Sequence, residues 1–166
     1  MKIDIFAHVL PKKYLDMLYK ASSSSFYLKS VIETLPTLYD LDFRFRIMDK
    51  FEGLMQVLTM SSPPVHEIAE PEQAAEMAKT VNDEMAEMVL KHPDRFAAAV
   101  ACLPLNNMEA ALDEIDRAIN DLKFRGIQLE TPANDRPLDQ PEFMPIYDKM
   151  SKYNLPIWVH PVRNAD

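Results

Sequence analysis

Short apolar runs recur along the chain, and between most of them the apolar positions fall three or four residues apart. Five runs predict strands at residues 2–7, 54–60, 96–103, 126–130 and 155–159. Several are almost continuously apolar, the pattern of strands buried on both faces. Residues 71–92 place Met77, Val81, Met85, Met88 and Val89 on one helical stripe, with Glu76, Asp83, Glu84 and Glu87 opposite. Pro71 suits the first turn of that helix, and His92-Pro93 closes it. Residues 107–122 repeat the pattern behind a predicted Asn107 N-cap, residues 141–153 give a third helix, and another is expected near 41–51. Strands alternating with helices of this length predict βαβ units on a parallel sheet. The stretch 21–42 breaks the rhythm with four serines, Pro36 and scattered aromatics. It reads as an insertion after the first strand, either functional or merely mobile.

Composition narrows the class of partner. At 48% hydrophobic and 27% charged, the 166 residues are those of a globular domain. A net charge of −8 argues against nucleic acid or an anionic membrane as partner. No apolar run approaches the roughly 20 residues that span a bilayer. The chain opens directly on a strand, without a basic segment followed by an apolar one, so a secretory leader is not expected. Cys102 is the single cysteine, which excludes an internal disulfide and predicts a reducing, cytoplasmic setting.

Two strands end on histidine, in Ile3-Asp4-Ile5-Phe6-Ala7-His8 and in Pro156-Ile157-Trp158-Val159-His160. Alternation puts Asp4, Phe6 and His8 on one face of the first strand, and Trp158 with His160 on one face of the fifth. Imidazoles at the carboxyl ends of parallel strands stand where barrel enzymes build metal and catalytic sites. His8 and His160 are therefore the candidate metal ligands, whereas the Phe6 ring, two residues before His8, cannot ligate. Glu130 ends the fourth strand and is expected to point inward with Gln128, supporting a metal or a polar substrate group. His66 follows the second strand and reads as a surface-loop residue or a substrate contact. Arg44 and Arg46 read as solvated helix residues, with Arg46 the candidate for a substrate carboxylate. His92 and Cys102 read as structural, and Trp158 as barrel filling or a wall beneath the site.

The segments Ile3-Asp4-Ile5-Phe6-Ala7-His8-Val9-Leu10-Pro11, Arg46-Ile47-Met48-Asp49, His92-Pro93-Asp94-Arg95-Phe96, Phe124-Arg125-Gly126-Ile127-Gln128 and Leu155-Pro156-Ile157-Trp158-Val159-His160-Pro161 together resemble the amidohydrolase superfamily, in its aminocarboxymuconate-semialdehyde decarboxylase branch. The resemblance implies a (β/α)8 TIM barrel, of which this chain would hold about five strand-helix units as one partial domain over residues 1–166. It also implies a divalent metal, zinc or manganese, serving a carboxy-lyase or hydrolase that acts on a small carboxylated or aromatic molecule. His8 matches the second histidine of the first-strand motif and His160 the metal histidine of strand five. Phe6 stands at the first histidine, and the family's later histidine and aspartate would fall beyond Asp166. A non-catalytic fragment, or a binding or assembly module of the same fold, is the alternative; separately, a homo-oligomer or a second chain completing the barrel is an expected partner.

Overall fold

The computed structural model describes residues 1–21 and 28–162. Five strands run in chain order: β1 (Lys2–Val9), β2 (Leu54–Met60), β3 (Phe96–Ala99), β4 (Ile127–Thr131) and β5 (Ile157–Pro161). The helices are α1 (Lys12–Ala21), α2 (Leu28–Thr34), α3 (Leu41–Met48), α4 (Val65–Ile68), α5 (Pro71–Lys91), α6 (Met108–Asn120) and α7 (Met144–Tyr153). The insertion expected over 21–42 is thus partly helical, and Ser22 to Ser25 lie outside the described residues. No helix among the described residues is long and apolar enough to cross a membrane.

All strand pairs are parallel, in the orders β1-β2-β3 and β4-β5. One bridge, Ala101 to Ile127, joins the two sheets, flanked by Arg125 N–H to Ala99 O at 3.0 Å and Gln128 N–H to Ala101 O at 2.8 Å. In this order β1 and β5 are opposite edges, yet their side chains touch. The sheet surface must therefore be strongly curved toward its own far edge.

The core lies between the sheet and its helices. Ala74, Met77, Ala78, Val81 and Met85 of α5 are all buried, as their three- and four-residue spacing predicts. Burying side chains of this size contributes about 1.5–3 kcal/mol each for the larger ones. Asn107 caps α6 by accepting from Ala110 N–H at 3.1 Å, and Asp40 caps α3 from Phe43 N–H at 2.8 Å.

β3 stops at Ala99, short of the expected Leu103, for a visible reason. Asn82 of α5 donates to Cys102 O and accepts from Cys102 N–H, both at 2.9 Å, replacing a ladder partner with a side-chain amide. The same amide donates to Glu114 at 2.6 Å, and Arg117 grips both oxygens of Glu114 at 2.8 Å. A buried polar network thus fixes the chain as it leaves β3.

Candidate metal centre

His8 sits in the last turn of pleat of β1, and His160 stands one residue before the end of β5. Their Nε2 atoms face each other at 3.2 Å, with ring centroids 4.9 Å apart and planes at 63°. Two imidazole nitrogens on one tetrahedral ion, each about 2.0–2.1 Å from it, would lie about 3.3 Å from one another. The observed separation suits that arrangement, and equally an N–H···N bond between the rings.

His8 is held from behind. Its Nδ1 lies 2.9 Å from Thr59 Oγ1 on the neighbouring strand, and its backbone carbonyl accepts from the Arg44 guanidinium. Arg44 also donates to Thr37 O at 2.9 Å and to Gln56 Oε1 at 2.7 Å. In the tautomer whose Nδ1–H donates to Thr59, the His8 Nε2 lone pair is directed at His160. Burial, then the His160 charge, lowers the His8 pKa to about 4, and burial also lowers that of His160. Both rings are neutral at physiological pH, the form that ligates. His160 Nδ1 is buried without a hydrogen-bond partner among the described residues.

Phe6 completes an aromatic trio, its ring 5.1 Å from His8 and 5.7 Å from His160. It contributes an apolar wall and no donor. Among the described residues no third His, Cys, Asp or Glu joins the pair in a group able to hold an ion. The residues present therefore fit two positions of a divalent shell and leave the others to water or to further groups.

Glu130 is placed beside the pair but turned from it. It is the register partner of His160, and it is only 2% exposed. Its Oε1 accepts from Gln128 Nε2 at 2.8 Å, and that amide also donates to Met60 O at 3.0 Å. Gln128 and Glu130 thus share the inward face as alternation predicts, with the carboxylate drawn toward the amino end of β4. Burial pushes its pKa up to about 7.

Three expectations need correction. His66 is not a surface-loop residue: it lies on α4, 6% exposed, with both ring nitrogens unpartnered among the described residues. The apolar burial of Val65 beside it draws the short helix inward. Arg44 is not solvated, because it and Met48 form the buried stripe of α3. Arg46, two positions round the helix, is exposed and stacks over Phe43 at 5.4 Å; it lies toward the end of α3 that feeds the amino end of β2, while the imidazoles stand at strand carboxyl ends. The structure does not bring Arg46 to the pair. His92 is structural, edge-on to Phe45 and Phe96 at 4.9 and 6.2 Å. Arg44 was legible only as one of two helix arginines; the i, i+4 pairing with Met48 is the signal that separates it from Arg46.

The amidohydrolase family model matches residues 3–165. A gamma-resorcylate decarboxylase from a Rhizobium species is 34% identical over 126 residues, covering 72% of this chain and 38% of that protein. The 2-amino-3-carboxymuconate-6-semialdehyde decarboxylase of Dictyostelium discoideum is 27% identical across 97% of this chain and 49% of its own length. Among solved structures, dihydroxybenzoic acid decarboxylase from a Polaromonas species, with bound manganese and 2-nitroresorcinol, superposes with a TM-score of 0.78 at 26% identity, covering 98% of this chain and 50% of that one. The 5-carboxyvanillate decarboxylase of Novosphingobium aromaticivorans, complexed with manganese and 4-hydroxy-3-methoxy-5-nitrobenzoic acid, gives 0.82 at 26% identity with the same coverage of 98% and 50%. The chain spans about half the length of these relatives or less, and the metal in both neighbours is manganese, not zinc. On the match over residues 3–165, the chain belongs to the amidohydrolase family.

Proposed function

We propose that this chain carries the His8 and His160 side of a metal-dependent carboxy-lyase acting on a small aromatic carboxylate. The observation that carries the reading is the 3.2 Å approach of two Nε2 atoms from residues 152 apart in sequence. A divalent ion, manganese by likeness to the solved neighbours, would supply a Lewis acid for substrate oxygens. The chain's own residues do the rest. Thr59 and Arg44 hold the His8 ring and backbone, so the ring nitrogen directed at His160 stays fixed. Phe6 offers an apolar face against which an aromatic ring packs. Glu130, with a pKa of about 7, keeps a proton on part of the population at neutral pH, which avoids repelling a substrate carboxylate and provides a proton for a polar group in the barrel. Decarboxylation is preferred over hydrolysis because the similar proteins are decarboxylases. Cys102, buried and free, agrees with a cytoplasmic setting.

The second reading is a non-catalytic module of the same fold, joined by a second chain or copy; Phe6 at a ligand position and the two-donor set favour it. Metal analysis of the purified chain after manganese loading separates the two. One ion per chain, lost in both His8→Ala and His160→Ala, is expected for the enzyme reading. A stable chain that retains no metal supports the module. If Glu130→Gln leaves both metal content and any decarboxylation of a dihydroxybenzoate unchanged, Glu130 has no part in the site.

A further inference from the structure

β1 is not a regular strand where it matters. Its register on β2 runs Asp4 to Gln56 and resumes at Ala7 to Leu58, so Ile5 and Phe6 together face only Val57. Two residues opposite one is a bulge, a device that re-aims side chains beside sites. It sets the phase in which Phe6 and His8 meet the interior.

The Ile5 carbonyl within that bulge is taken by the Trp158 indole, whose Nε1–H donates to it at 2.7 Å. Trp158 shares the inward face of β5 with His160, one layer below it. From its other side the indole is pressed on β4. A Cβ built at Gly126 would lie 2.5 Å from Trp158 Cζ3 and 2.5 Å from Pro156 O, so only glycine admits the ring there. The indole therefore spans from β4 and β5 to the bulge of β1. Among the described residues, this bond and the imidazole pair are the two hydrogen bonds that connect β1 with β5.

We propose that Trp158 sets the separation of His8 and His160, its bond to Ile5 pinning the β1 bulge against β5 one layer beneath the imidazole pair. Trp158 is thus a positioning residue. Its consequence for metal rests on the reading above, whereas its effect on the two rings does not.

The decisive comparison is the metal-free chain with Trp158→Phe, and with 3-benzothienylalanine at 158, which keeps the ring's shape but has no N–H. Long-range 1H–15N spectra report the histidine ring nitrogens. In the unaltered chain, His160→Ala should shift the His8 ring signals, because the rings are bonded. Both Trp158 replacements should move His8 toward the position it takes in His160→Ala, with circular dichroism unchanged. Manganese affinity should fall about tenfold, the lower end of what loss of an orienting contact costs. Ring signals that stay where they were in the benzothienylalanine chain overturn the proposal, even if Trp158→Phe fails to fold. Rings that move in a chain that never took manganese leave Trp158 as the spacer and remove the metal reading instead.

Discussion

His8, His66 and His160 are all held below the ordinary imidazole pKa, and burial is the first cause in each. They differ in what surrounds the neutral ring. His8 and His160 have each other, whereas His66 has neither nitrogen paired; the Leu103 carbonyl opposes its shift without meeting hydrogen-bond geometry. Burial lowers His66 from 6.5 to about 4. The unfolded chain therefore takes up a proton near pH 6.5 that the folded chain refuses until about pH 4. Stability associated with the neutral ring is intact above pH 6.5 and drains away as pH falls through that window. Between about pH 7.5 and about pH 5 the loss amounts to roughly 2 kcal/mol. His66→Leu removes the proton site and two unpartnered nitrogens at similar volume. Urea midpoints should fall less between those two pH values in His66→Leu than in the parent, and the variant should be at least as stable at the lower one. Equal slopes would show that His66 is charged, or solvated, in the folded chain.

At the scale of elements, the exit of β3 is held by one side chain. Asn82→Ala would strand the N–H and C=O of Cys102 and take a donor from Glu114, all buried. The expected cost is about 3 kcal/mol by chemical denaturation, since unmade buried bonds cost their full desolvation. Asp83→Ala, which breaks only an ion pair between Arg117 and a carboxylate that is 58% exposed, should cost under about 1 kcal/mol. Comparable losses would mean that the network is no stronger than a surface pair. The contrast also marks what could be read from the chain alone. β2 and α5 follow from their own periods, and Asn107 and Asp40 announce their helices by adjacent caps. The exit of β3 depends on Asn82, 20 residues before the Cys102 it holds. α1 follows Pro11, and Glu84 accepts from its Lys13 and Tyr14 N–H at 3.0 and 2.9 Å, from about 70 residues along. The site divides in the same way. Strand-end position, a local rule acting on a parallel sheet, brings His8 and His160 together, whereas period-two counting from Asp4 does not carry through β1 because the register shifts between Asp4 and Ala7. Glu130 turns toward Gln128 because the Met60 carbonyl holds that amide, and Arg44 is buried because it ties α3 to His8 O. Neither partner is adjacent in sequence.

Among the described residues of the whole molecule, β1 has a strand partner only in β2, and β5 only in β4. Edges of this kind offer unpaired backbone groups to other chains. The edge strands add exposed apolar area: Ile3 is 46% exposed, Ile5 60% and Val159 53%. The side chains of Trp158 and His160 already meet β1, so association should proceed through the exposed apolar side chains and free edges of β1 and β5. The net charge of −8 opposes association at long range and is screened within about 10 Å at 0.1 M salt, so self-association should rise with ionic strength. Ile5→Lys with Val159→Lys places a cation on each edge strand, a device natural edges use. The Trp158 bond engages the Ile5 backbone and is spared. Substitutions at exposed positions should change stability by less than about 0.5 kcal/mol. Light scattering at rising protein concentration should then show the double variant remaining monomeric where the parent grows, with unchanged thermal unfolding. Growth that persists in the double variant would locate the adhesive surface elsewhere, on the helical layer, and would mean that the contact between β5 and β1 across the interior already shields both edges.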